Sequence, residues 1–384
     1  MHKSAFFLLV PTDSSIQSAK TLKLDSVFAS STHLSVEVIS KLRAELGEKI
    51  QINAEIGIFA GKDLLEKFSD AKPVEALNTP TEKDWYCGIC PTHEGVRSHA
   101  LEKIKALFAL DINGIWLDFI RYPSKWEEPE SYILDTCYCD RCMQKFSEYI
   151  GEPITGNSAE EKALLIDGSY YIEWLEFKCG QITSMVKAVQ DLIKESGKNI
   201  KLGFFAVPWD EKEHGAAIKR VLGQDFAALS GLVDTVSPML YHKMCGKNVD
   251  WIKDKVDFFW QLGISQLPLV QTEPRVAEIS ADEFNKALEF ASASPSTGVC
   301  IFFLEDLVKH EKLFEKAQNF FAKSNTSSLL LNVAILFIKL FLVASRVTQT
   351  PKGAIYSLVI NLKTKADPCL LTSFKCSAIA NLTL

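Results

Sequence analysis

The chain has 384 residues, 47% of them hydrophobic and 23% charged, the composition of a folded globular protein with room for one large domain and an appendage. A net charge of -6 and the lack of a basic run exclude a nucleic-acid binder that works through phosphate contacts. Ten cysteines in a chain this long do not make a disulfide scaffold; they favour a reducing compartment or metal use.

The first ten residues carry a short apolar run that leads directly into Pro11-Thr-Asp-Ser-Ser15 without a small-residue cleavage site. They predict a strand over Ser4 to Val10 rather than a signal peptide, so the expected location is cytoplasmic unless the C-terminal tail inserts in a membrane. A helix over Ser14 to Leu22 and a short strand over Asp25 to Ala29 follow. Ser35 then caps a helix that runs to Leu46 and stops at Gly47. Lys49 to Phe59 alternates, with Ile50, Ile52, Ala54, Ile56 and Ile58 on one face and Asn53 and Glu55 together on the other. Gly61 to Asp84 reads as loop with one short helix. Val96, Ala100, Leu101, Ile104, Leu107 and Phe108 then form a helical stripe.

The next stretch, Ile112-Asn-Gly-Ile-Trp-Leu-Asp-Phe-Ile-Arg-Tyr-Pro123, holds one carboxylate, Asp118, in an otherwise apolar run. A charge in the middle of a buried strand is costly; at the C-terminal end of a barrel strand it reads as catalytic. The alternative is a structural Asp paired with Arg121. Alternation puts Trp116 and Asp118 on one face and Leu117 and Phe119 on the other. Residues 124–163 form a long insertion rich in charge, Pro and Gly. After it comes a long helix with Ile172, Leu175, Cys179, Ile182, Val186, Val189 and Ile193 at helical spacing, ended by Gly197.

From there strands and helices alternate. Strands are predicted over Ile200 to Val207, Asp234 to Tyr241, Gln266 to Thr272 and Gly298 to Leu304, the last ending in Glu305-Asp306. Helices are predicted over 224–230, over Val249 to Leu262 with Gly263 as its stop, from Ser280 to Ala291 with Glu283 at capping-box spacing, and around Leu313 to Phe320. Eight strands and about eight helices within residues 4–322 predict an α/β fold, a (β/α)8 TIM barrel with a long insertion after strand four and a C-terminal appendage. An open doubly wound sheet is the runner-up; no Gly-rich phosphate turn follows the first strand. The predicted domains are 1–322, the barrel, and 323–384, the tail. Within the tail, 328–345 is almost wholly apolar, and Lys339 near its middle would cost about 2.5 to 3.5 kcal/mol in a bilayer. A membrane anchor and an apolar helix packed on the barrel are both compatible with it.

On this layout Glu55, Asp118, Arg121, Tyr122, Trp209, Asp210, Tyr241, His242, Glu273 and Glu305 fall near the strand ends, at one mouth. Paired carboxylates suit glycosidic bond cleavage, one protonating the leaving oxygen and the other attacking or activating water. Aromatic faces stack on sugar rings, while Arg and His bond hydroxyls. Gly114 to Pro123 resembles the fourth-strand motif of uncharacterised glycosyl-hydrolase-like TIM-barrel proteins. Cys137-Tyr-Cys-Asp-Arg-Cys142 with Lys145-Phe146, Val207-Pro-Trp209, and Ser237-Pro-Met-Leu-Tyr-His242 are similar to members of that group. The resemblance covers roughly residues 4–322 and nothing of the tail. It implies a glycosidase-superfamily barrel and a carbohydrate substrate, with Asp118 as the catalytic position carried over. Glu273 is the expected catalytic partner from position alone, with Glu305 and Glu55 as rivals that could instead bind substrate. The expected activity is hydrolysis of O-glycosidic bonds; the alternative is a non-catalytic carbohydrate-binding barrel. No His-x-His or His-Glu-x-x-His supports a metal-dependent hydrolase.

No cofactor is required by this chemistry. Cys137, Cys139 and Cys142 nevertheless offer three thiols within six residues, with Cys87 and Cys90 as possible fourth ligands for a structural zinc. A buried thiol cluster without metal is the other reading.

Overall fold

The computed structural model describes residues 1–323 apart from Asp84, Glu128 and residues 273–277. The expected catalytic partner Glu273 and the apolar stretch 328–345 therefore lie outside the described residues.

Eight parallel strands form one sheet: β1 (His2–Phe7), β2 (Ser26–Ser30), β3 (Gln51–Gly57), β4 (Gly114–Asp118), β5 (Lys201–Ala206), β6 (Thr235–Pro238), β7 (Leu269–Gln271) and β8 (Gly298–Phe302). Their order is β6-β5-β4-β3-β2-β1-β8-β7. Parallel bridges from Val236 to Gln266 and from Met239 to Leu269 join β6 to β7 and bring the two edges together. The result is the expected (β/α)8 barrel, and the helices between the strands carry their apolar stripes onto its outer face.

Local chemistry explains the helix ends. Thr12 and Ser15 form a reciprocal capping box at the helix Asp13–Leu22. Ser35 caps Val36–Leu46, and the Ser280 hydroxyl accepts from the Glu283 N–H at the start of Ala281–Ser292. Gly197, left-handed at φ 66°, ends the long helix Tyr171–Ser196.

The barrel interior is filled largely by rings rather than by the branched aliphatic residues usual in this fold. Phe28 meets Trp116 edge-on at 5.1 Å, and Phe6 lies 6.1 Å from Phe205 and 5.4 Å from Phe302. The Trp116 indole donates to the Ser237 hydroxyl at 3.0 Å. Its ring occupies the space a side chain on β5 would need: a Cβ on Gly203 would sit 2.3 Å from it. Glycine is thus required there for packing.

Several strands are shorter than the sequence predicts at their C-terminal ends. β3 ends at Gly57, but Ile58 and Phe59 stay buried and donate to the Asp118 and Phe119 carbonyls as the chain leaves the barrel. β8 ends at Phe302, and Glu305-Asp306 lies in a helix, Leu304–Lys309, not at a strand end. The apolar run alone could not show where the pairing stops. The insertion after β4 has two helices of its own, Asp140–Ile150 and Ala159–Ser169. It is anchored by a cluster in which Trp174 packs on Phe146 at 4.9 Å and on Tyr138 at 5.5 Å.

Candidate active site and a cysteine tetrad

Asp118 is the last residue of β4 and belongs to the inward-facing set with Trp116. It opens on a cavity of about 90 Å³ at the C-terminal mouth, the end at which barrel enzymes carry their sites. Phe6, Phe205, Tyr241 and Phe302 form the floor, and Trp85, Trp126, Glu127 and Arg121 complete the wall. Trp126, Tyr241 and Phe302 form a stack, with centroids 5.8 and 5.0 Å apart. Trp85 stands at the rim, 49% exposed.

The backbone turns sharply just past Asp118. Phe119 is left-handed at φ 49°, a conformation costly for a bulky residue and typical of sites where the chain must aim a neighbour. In this turn the Phe119 N–H donates to Asp118 Oδ1 at 2.7 Å. Arg121 is buried and donates to the Ser124 carbonyl at 2.7 Å and to Tyr86 Oη at 3.4 Å. Its hydrogen bonds thus hold the loop beside the cavity rather than neutralise Asp118.

Glu55 faces inward from β3, beside Asp118. Burial raises its carboxyl to about 8, and the Asp118 charge adds to the rise. Burial likewise raises Asp118 to about 6, opposed by the Phe119 N–H and the Arg121 charge and assisted by Glu127. The two carboxyls titrate as a pair: the first proton leaves near 6, the second near 8. A pair that holds one proton across neutral pH can give it up and take it back, as acid/base chemistry requires.

The remaining sequence-predicted residues divide. Tyr241 and Arg121 line the cavity. Tyr122 is wholly buried under the Lys178 ammonium, 4.6 Å from its ring, and does not line the cavity. His242 is also buried, its Nε2 3.2 Å from Glu283 Oε1 on the helix outside the barrel, and burial lowers its pKa. Trp209 is buried against His214, ring centroids 4.5 Å apart. Glu305 accepts from the Leu8 and Leu9 N–H groups at 3.0 and 3.1 Å, fixing the loop after β1. In each case the residue follows the strand end, where alternation no longer dictates direction. Trp126 and Glu127 were missed by the sequence reading. They sit in the insertion, which has no periodicity, and only tertiary contact with Tyr241 reveals them.

Cys90 joins Cys137, Cys139 and Cys142, and the four sulfurs all lie within 4.8 Å of one another. Cys90 Sγ is 3.5 Å from Cys142 Sγ and 3.9 Å from Cys139 Sγ. Cys87, the other candidate, is not in the group. Four converging thiols are a donor set that fits a tetrahedral thiophilic ion.

No family model matches the chain, and no curated protein matches it in sequence. Solved structures match in fold. The glycoside hydrolase domain of PgaB (BpsB) from Bordetella bronchiseptica superimposes with a TM-score of 0.64 at 10% identity, covering 84% of this chain and 99% of that one. A β-galactosidase from the psychrophilic Marinomonas ef1 gives 0.62 at 10% identity over 86% of this chain, and one from Halorubrum lacusprofundi gives 0.59 at 11% identity over 84%. The match spans 60% and 57% of those β-galactosidases. The described residues thus form a (β/α)8 barrel that shares its fold with these solved glycosidase structures.

Proposed function

We propose that the protein is a glycoside hydrolase whose acid/base unit is the Asp118–Glu55 pair. The observation that carries this reading is a carboxyl of raised pKa, Asp118, opening on a ring-lined cavity that holds a second carboxylate, Glu127. In this reading Asp118 faces the glycosidic oxygen and protonates it as the bond breaks. Glu55, behind it, keeps a proton within the pair. The opposing carboxylate attacks the sugar or activates water. Glu127 lines the same cavity and fills that role among the described residues; Glu273, expected there from its position in the sequence, is the competing assignment. Trp126 and Tyr241 offer stacking faces. The Trp126 Nε1–H is buried without a hydrogen-bond partner among the described residues, a donor left over for a sugar hydroxyl.

The test is hydrolysis of a broad glycan panel by the full chain beside Asp118→Asn, Glu127→Gln and Glu273→Gln. Turnover by the wild type and a loss of at least about a hundredfold in Asp118→Asn is expected. The second carboxylate is whichever of the two Glu→Gln variants fails. Binding of glycans by wild type and Asp118→Asn alike, with turnover by neither, would replace the enzyme with a carbohydrate-binding barrel.

A further inference from the structure

We propose that Cys90, Cys137, Cys139 and Cys142 bind one zinc ion, which ties the loop after β3 to the insertion after β4. The metal follows from these side chains alone; only its consequence for the cavity rests on the glycosidase reading.

Spacing is the first argument. With Zn–S bonds of about 2.3 Å, the sulfurs of a regular tetrahedron lie about 3.8 Å apart. The Cys90 sulfur lies 3.5 and 3.9 Å from two of the others, and no pair exceeds 4.8 Å. A disulfide would need about 2.05 Å. The second argument is the shell around the sulfurs. The Thr92 hydroxyl lies 3.1 Å from Cys90 Sγ and 3.2 Å from Cys142 Sγ, and the Val74 N–H donates to Cys137 Sγ at 3.4 Å. Donors aimed at sulfur are what metal-bound thiolates accept. The third is charge. Four thiolates and Zn2+ leave two negative charges, costly in a buried setting unless cations stand near. Arg141, within electrostatic reach of Cys90 and Cys139, has a buried Nη1 with no hydrogen-bond partner among the described residues. The wholly buried Lys178 ammonium donates to the Thr136 carbonyl, next to Cys137.

On binding, the four thiols pass their protons to solvent and bind as thiolates; no electron moves and no oxidant is needed. The ion is structural, because four protein sulfurs leave no open position for substrate. It joins two segments that reach the mouth: Cys90 follows the strand carrying Tyr86, and Cys137 follows the stretch carrying Trp126 and Glu127. Arg121 links the same two segments through Tyr86 and Ser124. The zinc and Arg121 thus clamp one wall of the cavity.

The experiment is metal analysis of the full chain purified under reducing conditions without chelator, followed by reconstitution with Co2+. One zinc per chain is expected, and the Co2+ form should show the thiolate charge-transfer bands and intense d–d bands of a tetrahedral sulfur site. Cys139→Ser should lose the stoichiometric zinc, whereas Cys245→Ser, outside the tetrad, should keep it. Stripping the metal should lower the melting temperature and Zn2+ should restore it. Protein that is purified metal-free and also yields no thiolate–cobalt bands overturns the proposal, as does full zinc in Cys139→Ser or iron in place of zinc. The wild-type Co2+ spectrum stands even if the variant fails to fold. The zinc result holds or falls whether or not any glycan is cleaved.

Discussion

Asp118 and Glu55 are the residues on which the chemistry turns, and their burial has a consequence for stability. In the unfolded chain Glu55 loses its proton near 4.5; in the fold it keeps it to about 8. Between those values the folded state binds more protons than the unfolded one, so stability falls as pH rises through that window. Glu55→Gln has no proton to lose. It should be more stable than wild type above about pH 8 by at least about 1.4 kcal/mol, the worth of one pKa unit, with the advantage shrinking towards pH 4.5. Melting curves across pH check this, and a constant gap between the two proteins would contradict the raised pKa of Glu55. Asp118 could be picked out in the sequence because a lone acid interrupts an apolar strand. Glu55 was legible as an inward polar residue and as one of two rivals to Glu273 for the second carboxylate, but not as the residue that lies beside Asp118. That relation depends on the β3–β4 register, in which Gly57 lies opposite Asp118 and Glu55 opposite Trp116.

At the scale of elements, periodicity located all eight barrel strands and the long helix, because each buries one face and exposes or covers the other. What it could not locate was the direction of the residues that follow each strand. Tyr241 turns into the cavity while His242, its neighbour, turns out to Glu283. Two substitutions test the packing account. Gly203→Ala puts a methyl group into the Trp116 ring and should cost about 1 to 3 kcal/mol, from denaturant unfolding, by driving the indole out of its position. Lys23, left-handed at φ 52° at the end of the first helix, stands where glycine is favoured. Lys23→Gly should be neutral or stabilising by up to about 1 kcal/mol, and a clear loss of stability would count against the assigned cap.

At the scale of the whole molecule, the fold was legible and the completeness of the site was not. A (β/α)8 barrel follows from the alternation of elements, but the wall of its cavity comes from the insertion after β4, where no repeat guides a reading. The cysteine tetrad shows the same limit. Three of its members are close in sequence, while Cys90 is 52 residues from Cys142 and stood level with Cys87 until the chain was folded. Among the described residues no helix is long and apolar enough to cross a membrane. The pH dependence of glycan hydrolysis by the full chain tests the central assignment most directly. Up to about 8 the pair holds a proton for Asp118 to give; above about 8 it holds none. Activity should therefore fall as pH rises through about 8, and Glu55→Gln should move that limb to lower pH by at least about one unit. An upper limb at the same pH in wild type and Glu55→Gln, or turnover undiminished in Asp118→Asn, would contradict the acid/base pair.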